Sequence, residues 1–294
     1  MSNKRDICPN EDVSRDIPEN IKLRLRQEAG FGCCKCGLPV IEYHHIVPYH
    51  VNKRHRAEDM MALCPTCHDM CTKGALIESE QRELKTSPYN IGRGYLNGQL
   101  HVHQDFCAIE LGTCMFFGES IPFSVNGTPL LSMRVRNQRL NISTTIFDKG
   151  DILLAEVADN EWISGEPSVW DLWSSWRRLR IRTRSGDVRL DIDATTVPMK
   201  IKAKLRKSGK IIKISPKGVS SSRAGGGLDI DNMVVLNVSF NFDTTTNRIS
   251  VTGGKLKREF DRQERLAWGM AEMNQGEGAI ETTTDTPHTP LSQT

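Results

Sequence analysis

The chain has 294 residues, 39 Lys and Arg against 36 Asp and Glu, and a formal net charge of +3. With 38% hydrophobic and 26% charged residues it has the composition of a soluble globular protein, long enough for one large domain or two ordinary ones. No run approaches the ~18 apolar residues of a membrane span, and the opening MSNKRDICPNED lacks the apolar stretch of a signal peptide. Nine cysteines without such a leader are expected to stay reduced, in the cytoplasm, and point to metal or redox chemistry rather than to disulfides.

In chain order, the first predicted element is a helix. Asp16-Ile17-Pro18 precedes ENIKLRLRQEAG, where Pro18 suits a first turn, Ile21 and Leu25 share a face, and Gly30 can close the end. Glu42 to Pro48 reads as a strand, His68 to Lys73 as a helix closed by Gly74, and Ala75 to Lys85 as another helix. After Pro88 the apolar pattern switches to period two. Residues 179–183 and 188–192 alternate around Ser185-Gly186-Asp187, 234–242 pair with 249–251, and 141–147 pair with 152–157, giving three hairpins. Asn97-Gly98 and Asn126-Gly127 mark two further turns, and this half reads as a mostly antiparallel sandwich or barrel. Gly218 to Gly227 reads as a flexible loop, and the Thr-rich acidic tail from about Asn274 as disordered.

Charge is unevenly spread. Residues 1–90 carry 13 basic and 13 acidic groups, whereas 171–217 carry 14 basic against four acidic, a net of +10; the last 24 residues carry four acids and no Lys or Arg. RLRIRTRSGDVRLDID and KIKAKLRKSGKIIKI put cations, among them Arg180, Arg182, Lys202 and Lys204, on alternate positions. That spacing suits phosphate contact, and it equally describes a half-exposed strand whose lysines protect an edge. Trp162, Trp170, Trp173 and Trp176 flank this belt and are expected to pack in the core or between subunits.

Six cysteines and five histidines fall between residues 33 and 71. Cys33/Cys36 and Cys64/Cys67 form two C-x2-C knuckles separated by 27 residues, the doubled spacing that wraps four thiolates around one Zn²⁺. Four thiolates close the coordination shell, so that zinc is expected to be structural. Cys34 and Cys71 are left over and read as packing residues. Between and after the knuckles stand His44, His45 and His68. Neighbours on a strand point to opposite faces, so His44 and His45 have separate roles, and His68 is held beside a zinc thiolate. Three imidazoles in 25 residues, framed by a zinc site, point to chemistry rather than packing.

The run C-x2-C, YHHIVP, AEDMMALCPTCH resembles the HNH endonucleases, the zinc-containing branch of the ββα-metal nucleases, over roughly residues 18–85. The resemblance implies that His45 is the general base and that His44 and His68 hold a catalytic Mg²⁺ or Mn²⁺. It places Asp59 where the family commonly has Asn, as organiser of the loop over the base, and it implies products with 5′-phosphate and 3′-hydroxyl ends. The expected architecture is α+β: an extension over 1–17, a nuclease domain over 18–87, a β-rich recognition, regulatory or assembly domain over 88–270, and an acidic tail over 271–294. Lys53, Arg54, Arg56 and Lys73 are candidate contacts to DNA. His50 and His55 read as loop or phosphate-contact residues, and His101 and His103 as strand residues without a metal role. The leading reading is a DNA endonuclease, by analogy a restriction or anti-phage effector, with a homo-oligomer formed through the β domain. The rival is a zinc-dependent nucleic-acid-binding or scaffold protein with a degenerate centre, and a third reading is a ribonuclease on the same centre.

Overall fold

The computed structural model describes residues 16–93, 100–102, 104–164, 171–184, 186–221, 232–246, 248–257 and 260–275. The first stretch holds α1 (Glu19–Glu28), β1 (Glu42–His45), α2 (Tyr49–Asn52), a 3-10 turn (Ala57–Asp59), β2 (Met60–Leu63), α3 (Pro65–Thr72), α4 (Glu78–Thr86) and α5 (Tyr89–Arg93). Pro18 stands at the N-cap of α1, where its missing N–H costs nothing. Gly30 beyond the helix takes φ +61°, the left-handed conformation that glycine adopts freely. The strand at Glu42 stops at His45 because the backbone N–H groups of Ile46 and Val47 turn to the Asp59 carbonyl (2.8 and 3.4 Å).

The strands that follow are β3 (Leu100–His101), β4 (Cys107–Leu111), β5 (Cys114–Gly118), β6 (Ser120–Val125), β7 (Thr128–Arg136), β8 (Arg139–Phe147), β9 (Leu153–Ala158) and β10 (Glu161–Ser164). Next come β11 (Asp171–Ser175), β12 (Arg178–Arg184), β13 (Asp187–Asp193), β14 (Lys200–Lys207), β15 (Lys210–Ser215), β16 (Gly218–Ser221), β17 (Met233–Asp243) and β18 (Arg248–Lys257), before helix α6 (Arg262–Gln275). β11 to β16 form a six-stranded antiparallel meander; the rest form a ten-stranded sheet in which β17 runs parallel to β5 and β6. The two sheets face each other across one apolar core, where Ile181, Ile192 and Ile201 meet Ile109, Phe116 and Ile121. The alternative of sandwich or barrel resolves as an α+β chain with a sandwich. Each fully buried side chain of this size contributes about 1.5–3 kcal/mol.

All three expected hairpins are present, as β12–β13, β17–β18 and β8–β9. At the β6–β7 turn Asn126 and Gly127 both take positive φ (49° and 78°), the geometry that favours Asn-Gly between antiparallel strands. Three expectations need correction. Gly218–Ser221 is not loop but the edge strand β16, because Val219 buries an apolar side chain and Lys213 opposes Ser220 in register. Trp173 is half-buried on the outer face of the meander and Trp176 is 53% exposed, so of the two places expected for them, core or subunit contact, the core is excluded. Finally, α6 was not anticipated: Leu266, Trp268, Met270 and Met273 pack on Phe117 and Leu236, covering the outer side of the ten-stranded sheet. Residues 1–15, the Asn97-Gly98 turn, His103, Trp170, most of the loop expected after Gly218, and the tail from 276 lie outside the described residues. No described helix is long and apolar enough to cross a membrane.

A buried ion pair joins the histidine-bearing part to the meander. Arg26 of α1 is 2% exposed and makes a two-pronged contact with Asp171 of β11 (Nε–Oδ1 2.7 Å, Nη2–Oδ2 3.0 Å). Arg182 donates to Oδ2 of the same carboxylate, and the other arm of Arg26 donates to the hydroxyl of Tyr43, next to His44. Ser174 adds a hydrogen bond to the Pro39 carbonyl (3.1 Å). Removing one member of such a buried cluster strands an unpaired charge, at a cost of about 3–5 kcal/mol. Asp171→Ala should therefore lower unfolding stability in urea by that order. Arg178→Ala, which breaks the half-exposed Arg178–Asp193 pair (2.9 Å) and leaves Asp193 its hydrogen bond from the Thr195 N–H (3.0 Å), should change it by less than about 1 kcal/mol. Equal losses in the two variants would show that Arg26–Asp171 holds nothing together.

Candidate active site and thiolate centre

The first cysteine knuckle is a turn that the backbone builds before any side chain acts. The Gly37 N–H bonds the Cys33 carbonyl (2.8 Å) and the Cys33 N–H bonds the Leu38 carbonyl (2.9 Å). Gly37 takes φ +77°, and an added Cβ there would stand 2.3 Å from Asn90 Oδ1, so both conformation and space demand glycine. The second knuckle opens α3, with Cys64 as N-cap and Pro65 in the first turn. Together the turns bring the sulfur atoms of Cys33, Cys36, Cys64 and Cys67 within 4.8 Å of one another. Cys36 lies 3.6 Å from Cys64 and 3.9 Å from Cys67. Tetrahedral thiolates about 2.3 Å from zinc stand about 3.8 Å apart, so the cluster has the dimensions of a structural zinc site.

Burial pushes the Cys36 thiol up to about 11 and raises that of Cys67 as well. Burial also opposes the Cys64 thiolate, but hydrogen bonds from the Cys67 backbone and from the neighbouring thiols pull its pKa below the ordinary value. Cys34 and Cys71 stay outside the cluster. They are 3% and 9% exposed and pack with Ala62 and Leu63, as spare apolar side chains.

β1 and β2 pair antiparallel, with His44 opposite Met61 and His45 opposite Met60. Alternation then sends Glu42 and His44 to one face and Tyr43 and His45 to the other. On the first face His68, one turn into α3, meets His44 edge to face with ring centroids 5.0 Å apart. His68 Nδ1 donates to Glu42 Oε2 at 2.6 Å. His44 Nε2 stands 3.1 Å from Gln81 Oε1, and the Gln81 amide nitrogen already donates to the Leu76 carbonyl (2.8 Å). The Gln81 oxygen is therefore an acceptor and His44 Nε2 carries the proton. Each imidazole thus keeps one nitrogen, Nδ1 of His44 and Nε2 of His68, with no partner among the described residues. Anchoring one ring nitrogen so that the other can ligate is how proteins prepare histidines for a cation. Burial, then the nearby His68, lowers the His44 pKa, keeping its ring neutral as ligation requires.

On the second face, His45 Nε2 lies 3.1 Å from His55 Nδ1. Burial first, then repulsion from His55 and His68, lowers the His45 pKa. Asp59 grips the end of β1 through its main-chain carbonyl, while its carboxylate lies 3.6 Å from Arg82 Nη2 of α4. It is the Asp59 main-chain carbonyl, and not its carboxylate, that accepts the Ile46 and Val47 N–H groups. Lys53, Arg54, Arg56 and His50 are exposed around the same loop, and Lys73 is tied to Asp69 at 2.8 Å. Across the meander Arg180 pairs with Asp191 (2.8 Å), Arg182 with Asp171, and Lys204 with Asp187 (3.1 Å), whereas Lys202 is exposed. Sequence reasoning missed Glu42, Gln81 and the inward turn of His55. Glu42 was legible as the acid two places before His44 on the same strand face; Gln81 sits in a helix that is polar but for Leu84 and gave no signal.

Residues 33–74 match the family model described as HNH endonuclease. This segment is of the HNH type, with a β-rich region appended to it. Neither the curated proteins nor the solved structures give a match to the chain. The HNH segment indicates a nuclease-type hydrolase acting on nucleic acid, and a family that uses divalent metals. Elemental analysis of purified protein should give one zinc per chain, lost in Cys64→Ser with a fall in thermal midpoint. Cys34→Ser and Cys71→Ser should retain it, and loss of zinc in either would redraw the ligand set.

Proposed function

We propose that the chain is a metal-dependent DNA endonuclease in which residues 18–87 cut and the β-rich part from residue 88 binds and orients the substrate. The observation that carries this reading is the division of labour among the three histidines. Two on one face of the β1–α3 unit keep a free nitrogen each, and the third lies on the opposite face against its own partner.

His44 Nδ1 and His68 Nε2 would hold one Mg²⁺ or Mn²⁺, which when bound supplies Lewis-acid stabilisation of phosphoryl and leaving oxygens. His45 takes the proton of a water at Nδ1 while that water's oxygen forms a bond to phosphorus. The bond from phosphorus to the 3′ oxygen breaks, that oxygen is protonated from solvent, and the ends are 5′-phosphate and 3′-hydroxyl. Gln81 and Glu42 keep the two ligand rings in the right tautomer, and Asp59 holds the strand end that carries His45.

Charge on the meander supports nucleic acid as substrate. Lys200, Lys202 and Lys213 are exposed on its outer face with no ion pair among the described residues, beside Arg178 and Arg180, whose guanidinium groups are exposed enough to meet a phosphate while paired with Asp193 and Asp191. Arg182 is committed to the buried Asp171 and is unsuited to that role. Lys53, Arg54 and Arg56 would meet the backbone nearer the cut. A nuclease with an appended β module suits a restriction or anti-phage effector, acting as a homo-oligomer where both strands are cut. The competing reading, a nucleic-acid-binding module with a degenerate centre, rests on Asp59 standing where the family commonly has Asn.

Incubation with plasmid and Mg²⁺ or Mn²⁺ should give cleavage that His45→Ala lowers by about 10²–10⁴-fold, with DNA affinity intact. Binding without cleavage by either protein would favour the module, and selective cutting of RNA the ribonuclease. Lys202→Glu combined with Lys213→Glu should weaken binding and reduce the salt slope of log K by about one for each phosphate no longer neutralised. An unchanged slope would remove the meander from the interface.

A further inference from the structure

His55 was expected as a loop or phosphate-contact residue; its neighbours Arg54 and Arg56 are exposed, whereas His55 itself is half-buried against His45. The chain returns because Lys53 takes the left-handed conformation (φ 47°) and ends α2 abruptly, which swings residue 55 back over β1. Tyr49 fixes the ring from the other side. It stacks on His55 (centroids 5.0 Å, planes 20° apart) and meets His45 edge-on (5.6 Å, 63°). The two imidazoles lie 5.2 Å apart between centroids, and a single hydrogen bond of 3.1 Å links His45 Nε2 to His55 Nδ1.

That bond has two directions with opposite consequences. If His55 Nδ1 donates, His45 Nε2 is the acceptor, the proton of neutral His45 sits on Nδ1, and no lone pair remains to deprotonate water. If His45 Nε2 donates, Nδ1 carries the lone pair, and it has no partner among the described residues. We propose that His55 is a positioning residue for cleavage: its Nδ1 accepts the Nε2–H of His45 and locks that ring in the tautomer whose Nδ1 receives the proton of the attacking water. The inference rests on the nuclease reading above and adds to it a residue outside the zinc knuckles and the three-histidine motif. Proton accounting closes without a further group. Water gives one proton to His45 Nδ1, the imidazolium keeps its Nε2–H on His55, and His55 stays neutral with its own proton on Nε2. The arrangement parallels the carboxylate that orients the histidine of serine hydrolases, with a neutral acceptor in place of the anion.

The test compares His55→Ala, which removes the acceptor, with His55→Asn, whose amide oxygen falls near the place of Nδ1. Single-turnover cleavage by the full chain should drop by about 10–100-fold in His55→Ala at unchanged KM, the range found when hydrogen-bond partners that orient metal-ligating histidines are removed. His55→Asn should recover most of it, with zinc content and thermal midpoint constant across the series. Imidazole ¹⁵N spectra give a readout independent of cutting. His45 should show a protonated Nε2 and an unprotonated Nδ1 in the wild type and His55→Asn, and a mixture of tautomers in His55→Ala. Full activity in His55→Ala, or a His45 protonated at Nδ1 in the wild type, overturns the inference while leaving the nuclease reading standing. Equal losses in Ala and Asn variants together with a shift in KM also overturn it, pointing to a role in shaping the loop. A wild type that binds DNA and never cuts removes the nuclease reading and this inference together, whatever the spectra show.

Discussion

Four sulfur atoms within bonding reach of one cation are the constraint on which the rest of the N-terminal part depends. The cluster draws two ligands from the turn after α1 and two from the start of α3, segments that otherwise touch β1 and β2 through a small apolar core of Ala62, Leu63 and Leu76. A core of that size supplies little orientation energy, and small units of this kind rely on metal ligation to fold. Because Cys67 and His68 are consecutive on α3, the position of the sulfur cluster dictates that of His68. Because the Cys34 N–H bonds the Ala62 carbonyl (2.9 Å) on β2, it dictates the neighbouring strand as well. The imidazole pair on β1 and α3 is thus placed by chemistry at the sulfurs, not by packing among the histidines.

How much was legible in the sequence follows from how local each signal is. The knuckles, the histidine doublet and the Asn126-Gly127 turn are set by residues within a few positions of one another, and all sit where the spacing puts them. The hairpins were legible because period-two alternation reports one buried face, and the sandwich then follows from there being two such faces to cover. What was lost depends on contacts distant in sequence. Gly218–Ser221 looks like loop by composition and becomes strand because Lys210–Ser215 offers it an open edge. The apolar positions of α6 find their receptor only once Phe117 and Leu236 are brought side by side by sheet pairing. His55 was read as a loop or phosphate-contact residue, and only the left-handed turn at Lys53 brings it back to His45.

The basic belt illustrates the same limit from the electrostatic side. A net of +10 over 171–217 reads as a strong field, but its aspartates alternate on facing strands and pair across the sheet. Asp187 is held at about 2: burial works against its charge, and Thr183, Lys204 and Arg189 outweigh that by stabilising the carboxylate. Asp171 goes further, drawing Arg182 inward and Arg26 across from α1, so one carboxylate of the meander clamps the helix ahead of the knuckles. Part of the belt is therefore structural. The charge left for a polyanion is concentrated on β14 and β15, because Asp191 and Asp193 beside β14 are already engaged by Arg180 and Arg178.

The Arg26 clamp also bears on β1, because its third contact is Tyr43. Tyr43 and His45 share a face of β1, and Tyr43 is anchored to the guanidinium that Asp171 holds. Burial raises the Tyr43 pKa against the opposing pull of Arg26, so the phenol stays protonated and remains a neutral partner that does not compete with Asp171 for the cation. On the other face, His44 is fixed by an amide and His68 by a carboxylate. A neutral acceptor sets a tautomer without drawing a proton onto the ring, whereas a carboxylate both orients the ring it accepts from and raises its basicity. Three histidines of one kind thus stand before three different partners, an amide, a carboxylate and another imidazole.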